Sequence, residues 1–304
     1  MKRSILILLI VCALFLVSFQ YLLIRNYLDF MCYDSPYILS VKPGEHPVPF
    51  CPRIISTRES DEYGIGFSAQ GDELFFTRCN EQGAVIMHSQ HNSYGWSKPQ
   101  ILEQVGQAEA MESCLSVNGK KLYFSQVNQG SSLIYIANKA QQSWLSPQRL
   151  TSTDLGKRQR SPSVAANGNL YFSGICNDTG QADIYVSEFR NRQYMPPRKL
   201  SKNINSQYNE GYVYVSPQEN YLIFDSNRPG SYGKTDLYIS FRRINGTWSE
   251  AVNLGEKINT AEAEWSPYMS PDGNYLFFSR SVNGQVDIYW VSSAIIERCK
   301  DQLV

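Results

Sequence analysis

A cycle of apolar and polar positions recurs along most of the chain. Its most regular part is a leucine followed by two bulky apolar residues: Leu74-Phe75-Phe76, Leu122-Tyr123-Phe124, Leu170-Tyr171-Phe172, Leu222-Ile223-Phe224 and Leu276-Phe277-Phe278. Each triplet closely follows a turn residue, namely Gly71, Gly119, Gly168, Glu219 or Gly273, so the copies are 48, 49, 51 and 54 residues apart. Alternating apolar and small polar residues on both sides of that turn predict one half-buried strand before it and one after it. A third strand follows 8 to 12 residues later, as in Asp183-Ile184-Tyr185-Val186-Ser187, Asp236-Leu237-Tyr238-Ile239-Ser240 and Asp287-Ile288-Tyr289. Ile134-Tyr135-Ile136 and Ile86-Met87-His88 are versions of it without the aspartate. An aromatic, a proline three residues on and then an apolar residue announce a fourth, outer strand at Trp96, Pro99 and Leu102, at Trp144, Pro147 and Leu150, and at Tyr194, Pro197 and Leu200. Trp248, Ala251 and Leu254 repeat the pattern without proline. An edge strand can spare the backbone donor that proline lacks.

Four predicted strands repeating every fifty residues or so are the period of a β-propeller blade. The fifth copy runs out before an outer strand, whereas Pro49-Phe50-Cys51-Pro52-Arg53-Ile54-Ile55 carries the missing pattern. The expectation is an all-β propeller of five four-stranded blades, closed by this N-terminal segment so that no sheet edge stays open. Six blades is the alternative, but a further blade needs about 45 residues. The domain then spans 47–304, behind a connector at 26–46.

The N-terminus follows another pattern. Lys2 and Arg3 precede an uncharged run from Ser4 to Ile24, closed by Arg25. Its last 20 residues, as a helix, match the roughly 30 Å hydrocarbon core of a bilayer. Val17-Ser18-Phe19-Gln20 offers no small-residue cleavage site, which favours a signal anchor over residues 1–25 rather than a cleaved signal. The flanking positive charge directs the propeller to the exterior or periplasmic side of an inner membrane.

Composition narrows the function classes. The 28 Lys+Arg balance 28 Asp+Glu, which argues against nucleic acid as a partner. Seven cysteines suit an exported domain, and a bridge between Cys51 and Cys299, with Cys32 as a competing partner, would join the two ends of the ring. No Cys-x-x-Cys pair accompanies His46, His88 and His91, so no metal or other cofactor is expected.

Two stretches carry a family resemblance. Ser270-Pro271-Asp272-Gly273 with Leu276-Phe277-Phe278-Ser279, and Phe224-Asp225-Ser226-Asn227-Arg228-Pro229-Gly230 running on to Asp236-Leu237-Tyr238, resemble the WD-like, Pro-Asp repeat of TolB-type β-propellers. The resemblance covers about residues 47–293 and is strongest in the last two copies; only the last keeps the whole Ser-Pro-Asp-Gly turn. It implies an exported bacterial protein attached to the envelope, binding a protein or cell-wall component, in a family where a few relatives act on carbohydrates.

A ring of carboxylates is the candidate chemistry. Six residues before the turn serine stand Glu62, Glu210 and Glu264, with Glu109 or Glu112 near that place in the second copy. If these line the channel mouth they can bind a cation or a polyhydroxylated ligand, and a close pair can hydrolyse glycosides. The competing reading makes them recurrent hydrogen-bonding elements of the blades. Asp183, Asp236 and Asp287 are expected to hydrogen-bond between blades, the tryptophans to pack, and Arg228 to stand on the rim facing a partner. The expected function is a membrane-anchored, non-enzymatic binding scaffold for an envelope protein or glycan. A hydrolase or lyase using the channel carboxylates is the alternative.

Overall fold

The computed structural model describes residues 43–301 other than 82, 94, 106–108, 142 and 177–179. The apolar run at 4–24, Cys12, Cys32 and most of the connector lie outside these residues. Among the described residues no helix is long and apolar enough to cross a membrane.

Five antiparallel blades form the domain. From the inside outward, blade 1 consists of Asp61–Phe67, Glu73–Asn80, Gly83–Asn92 and Gln100–Ile101. Blade 2 consists of Ala110–Leu115, Lys121–Asn128, Ser131–Ala140 and Gln148–Arg149, and blade 3 of Arg158–Val164, Leu170–Ile175, Asp183–Ser187 and Arg198–Lys199. Blade 4 contains Glu210–Val215, Tyr221–Ser226, Asp236–Phe241 and Val252–Asn253. Blade 5 contains Glu264–Met269, Tyr275–Val282 and Gln285–Ser292, and takes its outer strand, Val48–Pro49, from the other end of the chain.

Closure therefore occurs as the pattern predicts, but over a shorter pairing. Val48 pairs with Trp290 and Pro49 with Tyr289, and the Phe50 amide donates to Ile288 at 2.7 Å. The chain then leaves the sheet, with Cys51 and Arg53 in left-handed backbone conformations, at φ 42° and 76°. Phe50, Cys51 and Ile55 drop into the core between blades 5 and 1. The aromatic-proline-apolar pattern marks burial there as much as strand.

The recurring triplets build the core. Leu74, Phe76, Leu122, Phe124, Leu170, Phe172, Leu222, Phe224, Leu276 and Phe278 are all fully buried. The last of each triplet stacks on the third-strand tyrosine in four blades: Phe124 on Tyr135, Phe172 on Tyr185, Phe224 on Tyr238 and Phe278 on Tyr289, with ring centroids 6.0 to 6.3 Å apart. Trp96, Trp144 and Trp248 are buried in the gaps between blades, as packing residues. The inner turns are stapled by serine. Ser68, Ser116, Ser216 and Ser270 each accept, through Oγ, the amide of the residue five positions on.

Two expectations are corrected. Cys51 and Cys299 are buried in different core clusters and are not bridged to each other. Two of the third-strand aspartates act within their own blades: Asp183 pairs with Lys199 at 2.7 Å, and Asp236 accepts from Tyr232, Gly233 and Asn253, whereas Asp287 Oδ1 has no hydrogen-bond partner among the described residues. The loop between blades is instead tied by asparagines. Asn205 exchanges hydrogen bonds with the Ile184 backbone, and Asn259 with that of Leu237.

Candidate binding site in the central channel

Glu62, Glu210 and Glu264 recur because they latch each blade to the loop that precedes it. Their side chains are fully buried. Glu264 accepts from the Thr260 amide at 3.0 Å, the Thr260 hydroxyl at 2.7 Å and Arg280 Nε at 2.8 Å. Glu62 does the same with Thr57 and Arg78, and Glu210 with Ser206 and Arg228. Each arginine also donates to a loop carbonyl: Arg78 to Ile54 and Ile55, Arg228 to Ile204, Arg280 to Ile258. Arg228 is thus no rim residue. Its guanidinium lies over the rings of Phe224 and Tyr238 and its side chain is 15% exposed. The sequence signal for this latch is Ile-Asn-Ser/Thr-x-x-x-Glu, seen at 204–210 and 258–264 and loosened at 55–62.

The channel itself is lined by positions where the repeat breaks. Every inner strand carries a β-bulge at one register, occupied by Gly64, Glu112, Ser161, Tyr212 and Ser266. Four of these have left-handed backbone, with φ of 64° at Gly64, 58° at Glu112, 55° at Ser161 and 51° at Ser266. A glutamate in that conformation costs about 1–2 kcal/mol relative to glycine. Glu112 keeps it because its carboxylate is fully used. Oε2 accepts from Ser125 Oγ and the Ser161 amide, both at 2.8 Å, and Oε1 forms an ion pair with Arg160. Arg160 in turn donates to Tyr212 Oη at 3.1 Å and lies over the Tyr212 ring. The negative charge of Glu112 holds the Arg160 guanidinium more firmly protonated than usual.

A second register breaks in the adjacent strands. Thr77, Ser125, Ser173 and Ser279 follow the last aromatic of their triplets, and blade 4 has Asp225 there. Three of the hydroxyls reach the next blade: Thr77 accepts the Glu112 amide at 2.9 Å, Ser125 accepts the Ser161 amide at 3.0 Å, and Ser173 donates to the Glu210 carbonyl at 3.1 Å, whereas Ser279 Oγ has no hydrogen-bond partner among the described residues. Asp225 is 7% exposed, and among the described residues its Oδ1 has no hydrogen-bond partner. Burial, with Glu112 and Glu210 nearby, holds its carboxyl well above the usual carboxylate range. Gly211 makes room for it, because a Cβ there would collide with the carboxylate.

The channel narrows in the middle. At the end formed by the turns a cavity of about 430 Å³ is lined by residues including Phe67, Val117, Tyr214, Tyr221 and Tyr268. A waist of about 50 Å³ contains Glu112. At the end where the inner strands begin, an upper mouth of about 300 Å³ is lined by Asp61, Tyr63, Cys79, Tyr212, Asp225, Thr235, Trp265 and Val286. Of the sequence candidates, Glu112 alone lines these channel cavities, and Glu109 is exposed. Among the described residues no group of three His, Cys, Asp or Glu is placed to hold a metal ion.

No protein-family model matches the chain, and no curated protein matches its sequence. Solved structures do. A putative TolB from Agrobacterium tumefaciens aligns with a TM-score of 0.51 at 17% identity, over 77% of each chain. A gluconolactonase from Xanthomonas campestris gives 0.50 at 11% identity, over 78% of this chain and 87% of that one. An endo-arabinase from Bacteroides thetaiotaomicron gives 0.50 at 14% identity, over 80% and 95%. The likeness is one of fold. It agrees with the TolB-type resemblance of the repeats, and the same architecture carries enzymes of unrelated chemistry.

Proposed function

We propose that this protein is a binding scaffold, anchored in the membrane by its N-terminal apolar run, whose propeller faces the envelope and receives a segment of an envelope protein at the upper mouth of its channel. The observation that carries the reading is Asp225, a buried carboxylate with an unpartnered oxygen in a register that the other blades fill with hydroxyls. Natural interiors pair almost all such groups, so an orphan at a cavity wall suits a ligand that completes it. Catalysis by Glu62, Glu210 and Glu264 is disfavoured because latching occupies their oxygens.

A glycan end is the second reading, favoured by Tyr63, Tyr212 and Trp265 around the same mouth. A photoreactive residue at position 265 of the full-length protein tests both in envelope extracts. Capture of one envelope protein, lost on Asp225→Asn, supports the scaffold. Capture of a glycan supports the second reading, and turnover of that glycan overturns the scaffold.

A further inference from the structure

We infer that the upper mouth recognises a protonated primary amine, of the kind that ends a lysine side chain, with Asp61 as its standing counter-charge, Asp225 giving up its proton to solvent as the amine enters, and Tyr63, Tyr212 and Trp265 as aromatic neighbours. The inference rests on reading the mouth as a binding site and names the chemistry of what enters it.

Charge points to a cation. Among the described residues two acidic side chains, Asp61 and Asp225, line the mouth and no lysine or arginine does. Arg160, whose guanidinium lies over the Tyr212 ring, is already engaged by Glu112 and Tyr212. Asp61 is held in place by the Val286 amide at 2.9 Å, which fixes one carboxylate at the entrance. Asp225 adds a buried carboxyl whose Oδ1 is unpartnered and which a cation in the mouth would ionise.

The remaining wall decides between cations. A metal ion needs several hard oxygen ligands, and the described residues bring no such group together. Three half-buried aromatic side chains suit an ammonium, which gains from ring quadrupoles as well as from carboxylates. A volume of about 300 Å³ admits an alkylammonium and its stem but no folded element.

Isothermal titration of the full-length protein with Nα-acetyl-lysine methylamide, its Nε-acetylated counterpart and N-acetylglucosamine tests this. The expected result is binding of the charged probe that weakens at least tenfold on Nε-acetylation and at least tenfold on Asp225→Asn, with an unchanged circular-dichroism melt showing that the variant folds. Trp265→Leu provides a second variant, with the same expected loss, should Asp225→Asn melt early. Equal binding of the charged and acetylated probes overturns the amine assignment. Binding of N-acetylglucosamine alone, weakened by the same variants, overturns the amine and leaves the mouth as a binding site. Binding of none of the three overturns both.

Discussion

Arg78 donates from Nε to Glu62 at 2.8 Å and from Nη2 to the carbonyls of Ile54 and Ile55, so one side chain joins the second strand of blade 1 to the segment that closes the ring. The same relation holds between Arg280 and Glu264, and Arg228 joins Glu210 to the Ile204 carbonyl through Nη2 while its Nε donates to Ser226. Replacing one glutamate by glutamine leaves a largely buried guanidinium without its counter-charge. Breaking a fully buried pair costs about 3–5 kcal/mol, and the 20% exposure of Arg78 lowers this to roughly 2–3 kcal/mol. Glu62→Gln should therefore lower the thermal midpoint by about 5–10 °C. Amine or glycan binding at the channel mouth should persist below the new midpoint. A titration that lost binding while the melt stayed put would return these residues to the ligand.

Ring closure rests on Phe50 more than on strand pairing. Only Val48 and Pro49 pair as strand residues, whereas the Phe50 ring is fully buried against Phe277 at 5.0 Å, Trp290 at 5.5 Å and Phe67 at 6.4 Å. Phe50→Ala removes that plug and opens a void between the first and last blades. A loss of about 3–5 kcal/mol in chemical denaturation is expected. Val48→Ala, at a 40% exposed position, should cost less than about 0.5 kcal/mol.

The fold was legible because repetition writes each structural decision several times. The triplet after Gly71, Gly119, Gly168, Glu219 and Gly273 is buried in every blade, so one periodic reading finds five sheets. The same logic hides the site. Glu62, Glu210 and Glu264 stand out by recurring, and they recur because every blade start needs its loop amides satisfied. What departs from the repeat is Glu112 among Gly64, Ser161 and Ser266, and Asp225 among Thr77, Ser125, Ser173 and Ser279. Aligning the copies exposes Asp225 in Phe224-Asp225 against Phe124-Ser125 and Phe172-Ser173. Glu112 needed the bulge register, which residue spacing alone does not reveal.

Glu219 takes the place of the turn glycine in blade 4 and pays for its left-handed backbone, φ 54°, through four side-chain partners. Asn167, Asn169, Tyr171 and Arg242 all donate to it, at 2.7 to 2.9 Å, which ties blade 3 to blade 4. Burial raises its carboxyl, but these donors outweigh it and hold the group below the usual range. Glu219→Gly restores the residue used in the other copies and relieves the strain, yet it leaves a buried tyrosine hydroxyl without its acceptor. The expected outcome is a net loss of about 1–2 kcal/mol in urea denaturation rather than a gain. Increased stability would show that the four contacts contribute less than the backbone strain.

Glu73 gives the acid limb of the stability profile. Burial pushes its carboxyl up, but His88 at 3.2 Å, Lys139 at 2.6 Å and Gln90 at 3.3 Å pull it down to about 2. The group is depressed in the folded state, so its contribution is complete above the unfolded value of about 4.5 and disappears as pH falls from there to about 2. A shift of that size corresponds to about 3 kcal/mol, carried by the His88 hydrogen bond and by the Lys139 bridge between blades 1 and 2. Lys139→Met removes the bridge while keeping the stem that packs near Trp144. Its stability at neutral pH should fall, and the difference from the parent protein should shrink as urea midpoints are followed from pH 5 to pH 2.5. A difference that stays constant across that interval would assign the loss to packing instead of to the ion pair.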